Sequence, residues 1–255
     1  PKLNTENPEA QDYIYNVMVF WLNEYHIDGW RLDVADEIDP SLWTRIRYRI
    51  KSAYPDCLLL GETWGDGFSL LDEKSVDSIM NYVFRDSVRD FLARGSIDAK
   101  MFNHRICQMR SHYPEEIRQA LFQPLDSHDT ERFLWNCSGD IRRLKLAALF
   151  QMCFPGAPSI YYGDEIGLNG DNDPDCRRCM EWNPTKQNAD VLSFYKKIIR
   201  IRKKNPCLRT GNIVPLVCQK MIYGYLCRSE NQQIYVLMNG SEEEYEVQLP
   251  VLEIA

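Results

Sequence analysis

Residues 28–37 read Asp-Gly-Trp-Arg-Leu-Asp-Val-Ala-Asp-Glu, and the fold can be worked out from this stretch. Asp28-Gly29 is a turn signal, and the run from Trp30 to Val34 alternates like a strand and is too short for a helix. Asp33 lies at the end of this strand with Arg31 two residues earlier, so both side chains share one face. A guanidinium there would keep Asp33 ionised and orient it, and a structural ion pair fits the spacing equally well.

The elements on both sides of this strand alternate between helix and strand. A helix is predicted from Pro8 to His26 by the spacing of its apolar residues, and Asp39-Pro40 predicts the N-cap and first turn of a helix that reaches about Tyr54. Further strands are predicted at 57–62, 78–82, 120–125 and 157–162, and further helices near 86–93, 98–112, 140–154 and 191–204. About five strand–helix units of this kind predict an α/β fold with a parallel sheet.

The pattern changes after Asn205-Pro206. Four short strand-like runs follow without a helix signal, at 213–217, 221–228, 233–238 and 245–249. We therefore predict two domains, an α/β domain over residues 1–205 and an antiparallel β domain over 206–255 that is cut short at Ala255.

Composition narrows the class of protein. The 255 residues are 44% hydrophobic, enough for a globular core, and the net charge of −7 argues against a nucleic-acid partner. The 12% of aromatic residues suits sugar binding and an ordinary core alike. The nine cysteines are odd in number and irregularly spaced, and neither a signal peptide nor an apolar run of membrane-spanning length is present. We therefore expect a cytoplasmic protein with no membrane partner.

Acidic residues stand at the ends of several predicted strands. Asp33 ends the first strand, Glu62 ends the second, and His128-Asp129 lies just past the fourth. The carboxyl ends of parallel strands open into one mouth, so these acids are expected to converge there. Each acid alone could simply be the N-cap of the next helix. Two carboxyls about 5 Å apart are what a retaining glycosidase needs, one as nucleophile and one as proton donor.

Three short strings carry a resemblance to a known family. Residues 28–37 resemble the nucleophile segment of the α-amylase family of glycoside hydrolases, and Gly61-Glu62-Thr63-Trp64 resembles its acid/base segment. Ser127-His128-Asp129-Thr130 resembles the segment that bears the third carboxylate, and the order and intervals match over residues 1–205. Residues 1–8, 80–82, 161–165 and 172–180 resemble the neopullulanase and cyclomaltodextrinase group in particular.

The resemblance implies a role for each matching residue. Asp33 would be the nucleophile, Glu62 the proton donor, and Asp129 the carboxylate that stabilises the transition state. The residues implied in substrate binding are Arg31, His128, Glu37 and Trp64, with core packing as the alternative for Trp64 and for Tyr162. Asp36 departs from the group, which usually carries Asn there, and this change leaves acceptor-side specificity open.

The resemblance also implies the fold and the activity. Residues 1–205 would form the C-terminal part, about five βα units, of a TIM (β/α)8 barrel. Nothing matches the family's early Asp-x-x-x-x-His segment, so we expect a C-terminal fragment of a longer enzyme, which alone is inactive or self-associates through open sheet edges. The full-length form would cleave α-1,4 glucosidic bonds in maltooligosaccharides, cyclodextrins, pullulan or starch, and cleavage of α-1,6 bonds stays open. A homo-oligomer stays open, and the alternative function is a catalytically silent relative that binds carbohydrate or serves as a scaffold.

No cofactor is expected. Cys176-x-x-Cys179 has the spacing of half a zinc site, but no second pair with that spacing exists. The chain also has no glycine-rich phosphate loop, so a nucleotide cofactor is not predicted. Calcium occurs in some members of the family and has no support in this chain.

Overall fold

The computed structural model describes residues 3–72 and 75–249. The helices are α1 (Pro8–Tyr25), α2 (Pro40–Ala53), α3 (Phe68–Asp72), α4 (Tyr82–Val88), α5 (Ala99–His112), α6 (Glu115–Ala120), α7 (Phe133–Asn136), α8 (Ile141–Cys153), α9 (Ala189–Lys204) and α10 (Cys207–Thr210). The strands are β1 (Gly29–Leu32), β2 (Leu58–Gly61), β3 (Ser78–Ile79), β4 (Phe122–Pro124), β5 (Ala157–Ser159), β6 (Asn212–Gln219), β7 (Ile222–Ser229) and β8 (Gln232–Asn239).

The chain divides into two compact units. Unit 1 comprises Pro1–Tyr82 and His112–Phe122, and unit 2 comprises Val83–Ser111 and Gln123–Ala255. The predicted domain boundary between residues 205 and 206 stays a prediction. Among the helices of residues 3–72 and 75–249, none has both the length and the apolar character that crossing a membrane requires.

Unit 1 is built on a parallel sheet in the order β1-β2-β3. β1 can approach β2 because Gly29 has no side chain. A Cβ atom at this position would collide with the carbonyl oxygen of Leu58. α2 begins where the side chain of Asp39 accepts a hydrogen bond from Ser41 N. The helix then buries a stripe of residues four apart, Leu42, Ile46 and Ile50. Each such side chain contributes about 1.5–3 kcal/mol when it leaves water.

Unit 2 combines helices with an antiparallel sheet. β7 lies between β6 and β8 in that sheet and is buried from Ile222 to Cys227. α9 buries one face, formed by residues Val191, Tyr195, Ile198 and Arg202. An aromatic core fills the unit and includes Phe84, Phe91, Phe102, Phe150, Phe154, Tyr223 and Tyr225. β4 and β5 form a separate two-stranded sheet.

Several predictions about individual elements are wrong. Residues 245–249 were predicted as a strand, and residues 241–249 contain none among those described. In that segment Ser241 N donates to Asn239 Oδ1 and Glu243 N to Ser241 Oγ, local turn bonds that compete with sheet pairing. The strand predicted at 120–125 shrinks to β4 because Ala120 ends α6, and the short α10 follows Pro206 where no helix was expected.

Candidate active site

Asp33 and Glu62 follow the ends of two paired strands in unit 1. The last pair in the register of β1 and β2 is Leu32 with Gly61, so each acid is the next residue on its strand. Backbone pairing continues past the strands, because Glu62 N donates to Leu32 O at 2.9 Å and Ala35 N donates to Glu62 O at 2.8 Å. The two acidic residues therefore stand side by side at the C-terminal edge of the sheet.

Arg31 contacts both acids. Its Nη1 donates to Asp33 Oδ1, and its Nη2 lies 2.5 Å from Glu62 Oε1 in an ionic contact that lacks hydrogen-bond alignment. The spacing of Arg31 and Asp33 along β1 led us to expect the first contact, whereas the second was not predicted. One guanidinium thus contacts both carboxylates, each through a different terminal nitrogen.

The two acids differ in exposure. The side chain of Asp33 is 76% exposed, whereas that of Glu62 is only 3% exposed. Glu62 Oε2 accepts a hydrogen bond of 3.0 Å from Val34 N. Val34 has a φ of 42°, a left-handed conformation that is rare for a β-branched residue. Glu62 is thus fixed and shielded from water, while Asp33 is accessible to a ligand.

The other predicted residues of unit 1 lie around this pair. Trp64 stacks on the buried ring of Tyr82 with the ring centroids 4.4 Å apart and is itself 50% exposed, so packing and an open aromatic surface coexist there. Glu37 ends a short 3₁₀ turn and is exposed. Asp36 accepts a hydrogen bond of 2.8 Å from Thr63 Oγ1 through its Oδ2, which links the segments that follow β1 and β2.

His128, Asp129 and Arg177 form a polar cluster in unit 2. His128 Nε2 lies 3.0 Å from Asp129 Oδ2, and Arg177 Nη2 lies 2.9 Å from Asp129 Oδ1. Arg177 Nε also contacts Asp173 Oδ1 at 3.0 Å. The turn that presents this pair is closed by Ser127 N, which donates to Thr130 Oγ1. The structure therefore joins Arg31, Asp33 and Glu62 in one cluster and, separately, His128 and Asp129 in another.

The contact of Arg177 with Asp129 was not predicted from the sequence. Arg177 lies in the 172–180 string, whose several charges give no signal in the sequence for which arginine meets Asp129. Tyr162 is partly exposed and donates from its hydroxyl to Arg178 O at 2.6 Å. In the part of the chain that the structure describes, no three His, Cys, Asp or Glu side chains are arranged to hold a metal ion.

Comparison with protein families adds to this geometry. Residues 1–211 match the family model described as alpha amylase, catalytic domain. The chain belongs to the α-amylase family. The resemblance that the three sequence strings indicated is confirmed.

Among its relatives in the α-amylase family, the chain is 45% identical to neopullulanase 2 of Thermoactinomyces vulgaris over 255 residues, which is 99% of the chain and 43% of the relative. It is 43% identical to a cyclomaltodextrinase of Thermoanaerobacter pseudethanolicus over 96% of the chain and 42% of the relative. The intracellular maltogenic amylase of Bacillus subtilis is 40% identical over 82% of the chain and 36% of the relative. The chain thus spans less than half the length of these curated relatives.

Solved structures of the α-amylase family agree with the fold. A cyclomaltodextrinase matches with a TM-score of 0.91 and 42% identity over 94% of this chain and 41% of that chain. The cyclic α-maltosyl-(1→6)-maltose hydrolase of Arthrobacter globiformis matches with a TM-score of 0.90 and 31% identity over 94% and 54% of the two chains. The predicted fold class, part of the family's (β/α)8 catalytic barrel followed by an antiparallel sheet, is confirmed.

Proposed function

We propose that the protein is a retaining glycoside hydrolase that cleaves α-1,4 and α-1,6 glucosidic bonds in maltooligosaccharides, cyclodextrins, pullulan or starch. The observation that carries this proposal is the pair Asp33 and Glu62, side by side after adjacent parallel strands and bridged by Arg31. Relatives named neopullulanase, cyclomaltodextrinase and maltogenic α-amylase support the substrate class.

The spacing of the two acids favours retention of configuration. Retaining enzymes hold their carboxyls about 5–5.5 Å apart, whereas inverting enzymes need about 6.5–9.5 Å to admit a water between them. Arg31 contacts both carboxylates through its terminal nitrogens, and this shared contact supports the closer class.

The chemistry follows from the two environments. The exposed carboxylate of Asp33 attacks the anomeric carbon while the bond to the glycosidic oxygen breaks, and the proton of Glu62 passes to that oxygen. A water then attacks the β-glycosyl-enzyme, Glu62 takes the proton of that water, and Asp33 leaves as a carboxylate. When Glu62 carries the proton, its Oε1 loses the ionic contact with Arg31, and the guanidinium is left to Asp33.

We assign supporting roles to the remaining residues. Asp129 stabilises the transition state, and His128 hydrogen-bonds sugar hydroxyls beside it. The exposed face of Trp64 offers a stacking surface, and Glu37 contributes to acceptor binding.

Kinetics of variants on cyclodextrin and pullulan test the proposal, with the protein made from its complete gene. Asp33→Asn and Glu62→Gln are each expected to lower kcat by roughly 10⁴-fold or more, because they remove the attacking group and the proton donor. Asp36→Asn is the matched control, since it makes the same chemical change three residues from Asp33 and keeps an oxygen for Thr63. Unchanged sugar release from Asp33→Asn would mean that the assigned chemistry is wrong, whereas a wild-type protein that binds these glucans and releases no sugar would favour the catalytically silent relative.

We also propose that the protein works inside the cell. All nine cysteines are free, and a relative in Bacillus subtilis is named an intracellular enzyme. Fractionation of the source cells tests this, and recovery of the protein from the medium would contradict it. Self-association stays a prediction, to be tested by light scattering.

A further inference from the structure

A fully buried arginine links two loops of unit 2. Arg132 precedes α7 at the end of the turn that carries His128 and Asp129, and it is 0% exposed. Its Nε donates to Cys176 O at 3.0 Å, and its Nη1 donates to Tyr162 O at 2.5 Å. The guanidinium thereby ties the His128–Asp129 turn to the segment 161–178.

Further contacts hold this arginine in place. Its carbon Cζ lies 4.2 Å from the ring centroid of Tyr161 and 4.7 Å from that of Tyr162. Arg132 N donates to Gly170 O at 3.0 Å, and Nη1 also donates to Asp164 Oδ1 at 3.2 Å. Arg132 is therefore bound to segment 161–178 at several points.

The residues that Arg132 fixes contact the His128–Asp129 pair directly. Cys176 accepts from Arg132 through its carbonyl, and its thiol Sγ donates to His128 O at 3.3 Å. The next residue, Arg177, pairs with Asp129. Both belong to the 3₁₀ turn Asp175–Arg177. The contacts thus run from Arg132 through this turn to His128 and Asp129.

Two buried acids, Asp126 and Asp164, lie near Arg132. Burial raises the pKa of Asp164 well above its usual range, and it also raises the pKa of Asp126. The two carboxyls interact with each other, and the positive charge of Arg132 lowers the pKa of each against the effect of burial. Asp126 Oδ2 also accepts from Phe133 N at 2.6 Å.

Other charged or titratable groups face these two acids. They are Arg132, Arg85 of α4, Tyr195 of α9, and Cys137, which follows α7. Asp164, which accepts from Nη1, and the neighbouring Asp126 offset the positive charge of Arg132, which makes its complete burial tolerable.

We propose that Arg132 is a positioning residue for catalysis, which fixes the turn Asp175–Arg177 and through it orients Asp129. This inference rests on the proposed function, because it assumes that Asp129 stabilises the transition state. Lysine cannot replace the arginine, since a single ammonium cannot donate in the directions of Cys176 O, Tyr162 O and Asp164 at once. Loss of these hydrogen bonds displaces Asp129 while the chain stays folded.

A double-mutant cycle between Arg132→Lys and Asp129→Asn tests the inference in the protein made from its complete gene. The substrate is α-maltosyl fluoride, whose leaving group needs no proton, so residual rates remain measurable. Arg132→Lys is expected to lower kcat by roughly 10- to 100-fold with KM changed less than about twofold. In the Asp129→Asn background the same substitution should change kcat by less than about twofold, because nothing remains to be positioned.

Arg202→Lys is the matched control. Arg202 is another buried arginine of unit 2, and it donates to the carbonyls of Met152, Phe154 and Leu208 instead. Arg202→Lys should lower the unfolding temperature and keep kcat within about twofold of the wild-type value. Cys176→Ala, which removes only the thiol contact with His128, provides a second variant for the cycle should Arg132→Lys not fold, with a smaller loss of kcat expected.

The outcomes separate the two hypotheses. An equal loss of kcat from Arg132→Lys in both backgrounds would overturn the positioning role alone, because the effect would not pass through Asp129. A wild-type kcat in Asp129→Asn would overturn the assignment of Asp129 under the proposed function, and the positioning role with it.

Discussion

Asp33 and Glu62 hold equivalent positions on neighbouring strands, yet their surroundings give them different capacities. Glu62 is enclosed and held by Val34 N and Arg31, a setting suited to a group that must deliver a proton to a defined point. The side chain of Asp33 is open to solvent and is oriented by the guanidinium of Arg31. This setting suits a nucleophile, which must be able to reach a substrate.

Thr63 connects the segment that bears Glu62 to the segment after β1. It is fully buried, and its Oγ1 donates to Asp36 Oδ2 at 2.8 Å and accepts from Gly65 N at 3.2 Å. Thr63→Val keeps the shape and removes both bonds, so we expect the free energy of unfolding to fall by about 1–2 kcal/mol.

Urea denaturation measures this loss. Thr44→Val is the control, because Thr44 is exposed on α2 and water can replace its hydrogen bonds to Pro40 O and Ser75. A Thr63→Val protein as stable as the wild type would contradict the placement of this segment.

At the scale of elements, Asp77 fastens α2 to the parallel sheet. Its Oδ1 lies 2.5 Å from Arg47 Nη1, and its Oδ2 accepts from Leu59 N and lies near Lys51 Nζ, each at 2.8 Å. Burial of Asp77 raises its pKa, but the bonds from Lys51, Leu59 N and Arg47 outweigh burial and lower the pKa below the usual value.

A lowered pKa in the folded state makes stability depend on pH. The contribution of Asp77 is full above the unfolded pKa of about 3.9 and is lost as the pH falls through the lower folded value. We therefore expect Asp77→Asn to cost about 1–3 kcal/mol at pH 7 and progressively less below about pH 4.

Denaturation of Asp77→Asn and wild type from pH 7 down to pH 3 measures this difference. Asp12→Asn is the control, because Asp12 pairs with Arg49 while being 62% exposed, and surface pairs contribute little. A difference between wild type and Asp77→Asn that stays constant over this range would contradict the account.

Long elements with local signals could be predicted from the sequence. The cap at Asp39 and the apolar residues 42, 46 and 50 specify α2 without reference to the rest of the molecule. Some short elements could not be predicted. α6, the π-helical turn Arg89–Ala93 and the missing strand at 245–249 depend on tertiary packing and on local side-chain bonds that periodicity does not report.

The candidate site also has features that could be predicted from the sequence and features that could not. Asp33, Glu62 and Asp129 could be predicted from the sequence. They lie at or just past the ends of predicted strands, and the positions of those strands can be read from the chain alone. The contact of Arg31 with Glu62 depends on the register of β1 with β2, and the contacts of Arg132 join residues up to 44 positions apart. Such long-range contacts have no signature in a single sequence.

At the scale of the whole molecule, each of the two units has its own cluster of charged side chains. Unit 1 holds the paired acids with Arg31, and unit 2 holds the His128–Asp129 pair with Arg177, which contacts Asp129. The structural match to cyclomaltodextrinase extends over 94% of the chain and therefore includes residues of both units.

Covalent attachment of sugar to Asp33 is the central claim, and trapping the intermediate tests it most directly. In Glu62→Gln, α-maltosyl fluoride can still glycosylate the nucleophile, because fluoride leaves without a proton, whereas release by water lacks its base. Mass spectrometry of a tryptic digest should then find one maltosyl group on the peptide from residue 32 to residue 45, with fragmentation placing it on Asp33. Attachment to Asp36 or to another peptide, or turnover with inversion and no attached sugar, would contradict the account.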